Sequence, residues 1–220
     1  MNKTKNSFDN NWEQLVYKKK LQINKYPFDK VISLTNNFLH KSKIKKLREN
    51  ALELGCGTGN NLNFLKNFGF QKVFGIEGSK SAVKVAKANI KSSNIKIIEG
   101  DFINIPFNDK YFKLCLDRGS ITHNKKKEIV QILNEVFRCL KKDGIFISFI
   151  FSKLDKLYGD KIKKKMRIKV EQELETTFLS FQDVKKLYSK FKVLDITHDI
   201  EISKTHKITK AMWVIVAKKK

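Results

Sequence analysis

Apolar positions recur at two different spacings along this chain, and the change from one to the other divides it. Residues 9–21 (DNNWEQLVYKKKL) and 29–47 (DKVISLTNNFLHKSKIKKL) carry apolar side chains at helical intervals, parted by Tyr26-Pro27-Phe28. Proline's fixed φ and missing N–H break a helix there. From residue 51 short apolar runs alternate with amphipathic ones. The runs 51–54 (ALEL), 72–77 (KVFGIE), 94–100 (NIKIIEG), 112–117 (FKLCLD) and 144–151 (GIFISFIF) read as buried strands. Residues 61–68, 79–92 and 125–141 read as helices between them, the second opened by Ser79 as N-cap. Strand–helix alternation on this scale predicts an α/β fold with a doubly wound, mostly parallel sheet. The tail departs from it. A helix over 181–191 precedes strands at 192–202 and 211–219, spaced for a closing antiparallel hairpin, so seven strands are expected in all. The stretch 152–178 is polar and poorly periodic, and predicts an excursion after the fifth strand.

Composition narrows the class. With 41% hydrophobic residues and 17 Phe, the 220-residue chain can bury one sizeable core and is not a disordered polymer. Its 46 basic and 22 acidic residues leave a formal charge of +24. Only four of the basic residues are arginines, at 48, 118, 138 and 167. Lysine without arginine reads as a solvated, lysine-biased surface more than a groove that reads phosphates. The run 161–169 (KIKKKMRIK) is the densest cluster, either such a face or the edge of a site that attracts an anionic substrate. Cys56, Cys115 and Cys139 form no CxxC pair, which argues against a disulfide framework and a zinc site, and for a reducing compartment. The first residues are polar, without a leader's apolar run, and no apolar stretch approaches the roughly 20 residues that span a bilayer. A cytoplasmic protein with no membrane partner and no metal is the expectation.

The chemistry-bearing residues sit at strand ends. Glu53-Leu54-Gly55-Cys56-Gly57-Thr58-Gly59 joins the first strand to a helix. Glycines at alternate positions turn the backbone sharply and let a ligand approach, while the helix offers free N–H groups. A dinucleotide fingerprint needs Gly-x-Gly-x-x-Gly, and its third glycine here falls on Asn60. Glu77 ends the second strand about 20 residues later, where a carboxylate can accept both hydroxyls of a ribose. Asp101 follows the third strand, placed to accept an exocyclic adenine amine beside the Phe102 ring.

ELGCGTG, FGIEGS, EGDF and FKLCLDRGSITH at successive strand ends resemble the class I S-adenosylmethionine-dependent methyltransferases. The resemblance is close over about 48–150, and the closing pair of strands fits the family's sixth and seventh. It implies a Rossmann-like methyltransferase domain spanning 1–220, with an N-terminal helical cap (1–48), a cofactor-binding core (49–151), a cap excursion (152–180) and a helix plus closing hairpin (181–220). It implies S-adenosyl-L-methionine as cofactor and S-adenosyl-L-homocysteine as product. Carried over by position, Gly55, Gly57 and Gly59 line the methionine part, with Cys56 and Thr58 between them and Glu53 beneath. Glu77 and Gly78 meet the ribose, Asp101 and Phe102 frame the adenine, and Asp117 faces the sulfonium.

Methyl transfer from a sulfonium is an in-line displacement, so holding the reactants together supplies most of the rate. A base is needed only for a hydroxyl or a protonated amine. His123, on the loop after the fourth strand, is the candidate base, and Arg118 beside it either binds an anionic acceptor or forms a salt bridge. Methyltransferases of adenine or glutamine amides carry Asn/Asp-Pro-Pro-aromatic after that strand, whereas this chain has Asp117-Arg118-Gly119-Ser120 and only two prolines. A small chain with an N-terminal Trp/Tyr-containing helix pair and an excursion after the fifth strand resembles bacterial methyltransferases of small molecules or sugars, and that resemblance implies methylation of a small metabolite or sugar derivative. RNA methylation and a non-catalytic cofactor-binding subunit are the alternatives. Trp12, Tyr17 and Tyr26 either close over the cofactor or pack on the core. Oligomeric state and acceptor atom leave no mark on the sequence.

Overall fold

A computed structural model describes residues 7–158 and 174–220. Seven strands form one sheet: β1 (Asn50–Leu54), β2 (Lys72–Glu77), β3 (Ile95–Glu99), β4 (Phe112–Arg118), β5 (Leu140–Phe151), β6 (Lys192–Ile202) and β7 (Ile208–Lys218). Their order is β3-β2-β1-β4-β5-β7-β6. The first five run parallel, and β7 lies antiparallel between β5 and β6. The expected doubly wound sheet with its closing hairpin is thus present.

The strands are nearly continuous in apolar residues because helices cover both faces of the sheet. One face buries Ala51, Val73, Leu114 and Ile147 against Leu62 and Leu65 of α3 (Asn60–Phe68) and Val83 and Ala86 of α4 (Lys80–Asn89). The other buries Leu52, Phe74, Cys115 and Phe146 against Ile129, Ile132 and Val136 of α5 (Lys126–Cys139), and Val184 of α6 (Phe181–Leu187).

Several boundaries move. The helix expected over 29–47 is two, α1 (Asp29–Phe38) and α2 (Lys41–Lys46), because Leu39 and His40 are extended. Residues 9–21 hold only a short π-helical turn, Trp12–Tyr17. The helix expected to reach 92 stops at Asn89, where Ile90 turns extended. β5 starts at Leu140, ahead of the apolar run, because Leu140 already pairs with Phe112. The last strand starts at Ile208, after a tight turn closed by Ser203 N–H on the Lys207 carbonyl. Most of the expected excursion, and the lysine run 161–169, lies outside the described residues. No helix among them is long and apolar enough to cross a membrane.

Candidate active site

In an open parallel sheet, ligands bind beyond the carboxyl ends of the strands, where the order reverses. Here β1 is the reversal point, with β2 on one side and β4 on the other. The loops after β1 to β4 surround a cleft of about 800 Å³, its open mouth included.

The loop after β1 owes its shape to glycine. Gly55, Gly57 and Gly59 all have positive φ, which side chains with a Cβ rarely adopt. Their neighbours separate their roles. A Cβ on Gly59 would lie 2.6 Å from Ile90 Cδ1, so this glycine lets the start of α3 pack beside the end of α4. Thr58 and Gly59 stay outside the cleft wall. Gly57 faces the cleft, and a Cβ there would meet the Tyr17 hydroxyl at 2.8 Å.

Glu77 organises the same loop from β2. Its Oε2 accepts the Gly57 N–H (2.8 Å) and its Oε1 the Ser79 N–H (2.8 Å). Burial raises its pKa above the ordinary carboxylate value, against the pull of those backbone donors. Glu53, beneath the loop, is also buried. Its Oε1 accepts from Asn61 Nδ2 (2.6 Å), while its buried Oε2 has no hydrogen-bond partner. Burial, abetted by the charges of Asp117 and Glu77, pushes the Glu53 carboxyl up to about 8.

Asp117 does not line the cleft, contrary to the expectation that it faces the reacting centre. It is fully buried. Its Oδ1 accepts the N–H groups of Ser120 (2.7 Å) and Ile121 (3.0 Å), and its Oδ2 the Ser148 hydroxyl (2.8 Å). The Tyr188 hydroxyl donates in turn to Ser148 (2.7 Å). A carboxylate with three internal donors shapes the loop that carries residues 119–123. Burial lifts its pKa to about 6.

That loop ends in a 3₁₀ turn, Ile121–His123, which puts His123 on the cleft wall. His123 Nδ1 lies 3.0 Å from the Glu175 carbonyl oxygen. A carbonyl only accepts, so Nδ1 carries a proton, and whenever the ring is neutral its lone pair is on Nε2. The Thr176 hydroxyl, 3.3 Å from Nδ1, donates to the Leu174 carbonyl and so fits the same tautomer. The Trp12 ring meets the imidazole edge-on, with centroids 4.7 Å apart. Arg118, at the end of β4, lines the cleft beside Phe28.

Residues 7–28 form a strap over all of this. Ser7, through its N–H and its hydroxyl, and Phe8, through its N–H, donate to Asp101. The Phe8 ring rests on Gly78, where a Cβ would come within 2.2 Å of it. Asp9 accepts the Glu175 N–H (2.9 Å). Glu13 accepts from the hydroxyls of Ser79 (2.6 Å) and Ser81 (2.7 Å) at the start of α4. Farther on, the Asn24 and Tyr26 carbonyls accept from Thr58 Oγ1 and Asn60 Nδ2, and the Phe28 N–H donates to Asn61 Oδ1.

The strap alters two expectations. Asp101, assigned to an adenine amine, already holds Ser7, Phe8 and the Ile103 N–H. Trp12 and Tyr17 do line the cleft, but Tyr26 is 83% exposed. Glu53, Gly55, Cys56, Gly57, Glu77, Gly78, Asp101, Phe102, Arg118 and His123 share the cleft wall. Sequence reasoning missed Asn61, which ties Glu53 to the strap. Two asparagines opening a helix, seven and eight residues past an acid that needs a buried donor, were the available signal.

The chain matches the family model of a methyltransferase domain over residues 52–148. It is 31% identical, over 172 residues, to an uncharacterised methyltransferase of Alkaliphilus oremlandii, covering 76% of this chain and 74% of that one. It is 34% identical over 122 residues to human EEF1A lysine methyltransferase 2, covering half of each chain. Among solved structures, a SAM-dependent methyltransferase from Anabaena variabilis superposes with a TM-score of 0.69 at 15% identity, with 98% of each chain covered.

Proposed function

This chain belongs to the class I S-adenosylmethionine-dependent methyltransferases, and from that premise we propose that it methylates a small metabolite or sugar derivative. The observation that carries the substrate class is the strap: residues 7–28 wall in the cleft that a polymer would otherwise have to enter.

The residues present fit the cofactor. The unpartnered Oε2 of Glu53 is a buried acceptor suited to the methionyl ammonium. The Gly57 backbone forms a cradle that a Cβ would narrow. Glu77, held by the backbone N–H groups of Gly57, Ser79 and Gly78, stands in the cleft wall where a carboxylate can meet a ribose hydroxyl. Phe102 offers a ring face beside Asp101, whose carboxylate Ser7 and Phe8 would have to yield to an adenine amine. S-adenosylmethionine supplies, when bound, an electrophilic methyl on a sulfonium. The chain's own part is to orient the acceptor, exclude water with the strap and, for a hydroxyl acceptor, take its proton on His123 Nε2. The Glu175 carbonyl fixes the tautomer that makes Nε2 the basic atom.

A methyl-transfer assay with radiolabelled cofactor and fractionated cell extract tests the substrate class. Label in the fraction below a few kilodaltons is expected; label only in RNA or only in protein overturns the reading. Protein lysine is the second reading, on the human relative's name alone. With the acceptor in hand, His123→Asn is expected to lower turnover by roughly 10²–10⁴-fold at nearly unchanged cofactor affinity. The wild-type rate is expected to fall in acid, as Nε2 takes a proton, and a variant within a few-fold of wild type removes His123 from the chemistry.

A further inference from the structure

Arg118 is the cleft residue that the proposed mechanism leaves unused, and its surroundings are unusual for a guanidinium. It is half-buried, and its Nε is buried with no hydrogen-bond partner. Nη1 reaches only the Met212 thioether sulfur, at 3.7 Å. Among the described residues no carboxylate lies within ion-pair distance of it. Asp117, next in the chain, spends its oxygens on Ser120, Ile121 and Ser148.

The cation is nevertheless firmly placed. Its Cζ lies 4.2 Å from the centre of the Phe28 ring and 4.8 Å from that of Phe149. Aromatic faces hold a cation without supplying an oxygen acceptor, so they fix the guanidinium and leave its N–H fork unmet. A charged donor removed from water without an acceptor costs several kcal/mol unless something else meets it. Phe28 belongs to the strap and Phe149 to β5, so the fork is set at the junction of strap and sheet, in the wall of the cleft.

We propose that Arg118 is the specificity-determining residue of the acceptor site and that the acceptor carries a carboxylate, gripped edge-on by this guanidinium. The planar fork matches a planar carboxylate in two parallel hydrogen bonds. The surroundings favour a single negative charge over a phosphate dianion, because Asp29, Asp117, Asp199 and Glu201 all act on Arg118 from beyond contact distance. Burial, the larger influence, lowers the Arg118 pKa, while these carboxylates oppose that shift and repel a second charge on the ligand. The inference rests on the methyltransferase reading only in naming the ligand as the acceptor; the anion site itself does not.

The four arginines make the test direct, since their Nε–H groups give at most four signals in a nitrogen-15 spectrum. Arg118→Lys identifies the relevant one by its loss. The full chain is titrated with benzoate, benzamide and phenyl phosphate, with and without saturating S-adenosylhomocysteine, whose own binding is followed by calorimetry. Benzoate is expected to move the Arg118 signal saturably, benzamide to leave it in place, and phenyl phosphate to bind more weakly than benzoate. Arg118→Lys is expected to weaken benzoate about 10–100-fold, because an ammonium cannot reproduce the fork. An unmoved Arg118 signal in the wild-type protein, equal affinity for benzoate and benzamide, or tighter binding of phenyl phosphate each overturns the proposal. Failure of S-adenosylhomocysteine to bind counts against the cofactor reading alone, because the carboxylate titration without it still reports on Arg118.

Discussion

Glu53→Gln is expected to make the protein more stable and worse at its task. In the native state the carboxyl is buried with one oxygen unpartnered, and its pKa rises from an ordinary 4.5 to about 8. At pH 7 the folded chain therefore holds a proton that the unfolded chain has released. Each pH unit of that interval costs about 1.4 kcal/mol, so wild-type stability carries a penalty of about 3 kcal/mol at pH 7. The sign follows from proton counting. The folded state binds more protons between 4.5 and 8, so this group's contribution is most favourable below 4.5, declines through the window and flattens above 8. A glutamine mimics the protonated acid and keeps the oxygen that accepts from Asn61. Its advantage over wild type should be near zero at pH 4.5 and should grow to about 3 kcal/mol at pH 7. Asp117 and Glu77 also titrate from buried positions, but they are common to both proteins and largely cancel in the difference. Urea denaturation of both proteins at pH 5, 6, 7 and 8 measures it. A difference that does not vary with pH, or a less stable glutamine variant at pH 7, refutes the reasoning. Cofactor affinity should move the other way, about 10–100-fold weaker without the carboxylate, the usual opposition of stability and function.

Glu77→Ala should weaken S-adenosylmethionine about 10–100-fold in calorimetry, since it removes the proposed ribose acceptor and the acceptor of the Gly57 N–H. Unchanged affinity would detach Glu77 from the cofactor. Gly59→Ala should lower stability by about 1–2 kcal/mol in thermal or urea denaturation, through its positive φ and its contact with Ile90. Cofactor affinity should stay within a few-fold, because Gly59 is not in the cleft wall.

The centre of the sheet was legible because β1, β2 and β4 are buried on both faces and so read as nearly unbroken apolar runs, β2 to the residue. The ends of elements were less so. Leu140 belongs to β5 through pairing with Phe112 of β4, ahead of an irregularity after which pairing resumes at Ile145, a long-range effect on a segment that looks like the end of a helix. Glu53, Gly57 and Glu77 announced themselves because a turn of fixed shape and a carboxylate at a strand end have local signatures. Asp117 carried the same signature and served another purpose. Whether a strand-end acid points into the cleft or down into its own loop depends on Ser148 and Tyr188, 31 and 71 residues away. The strap was harder still. Ser7 and Phe8 contribute backbone N–H groups to Asp101, and a backbone donor is the same whatever the residue.

The strap also has a history within the life of the chain. Ser7 and Phe8 bond to a residue more than ninety positions later, and Asp9 to one 166 positions later. A chain emerging from the ribosome at roughly 5–20 residues per second exposes these groups for seconds before their partners exist. The parallel strands β1 to β4 and their helices can pair without them, so the core has a route to form while the site stays open. This wall of the cleft is thus made before the strands it covers and placed after them. Nascent chains halted once Asp117 has cleared the ribosome, but before Glu175 has, should hold a structured sheet with Asp9 still awaiting its partner.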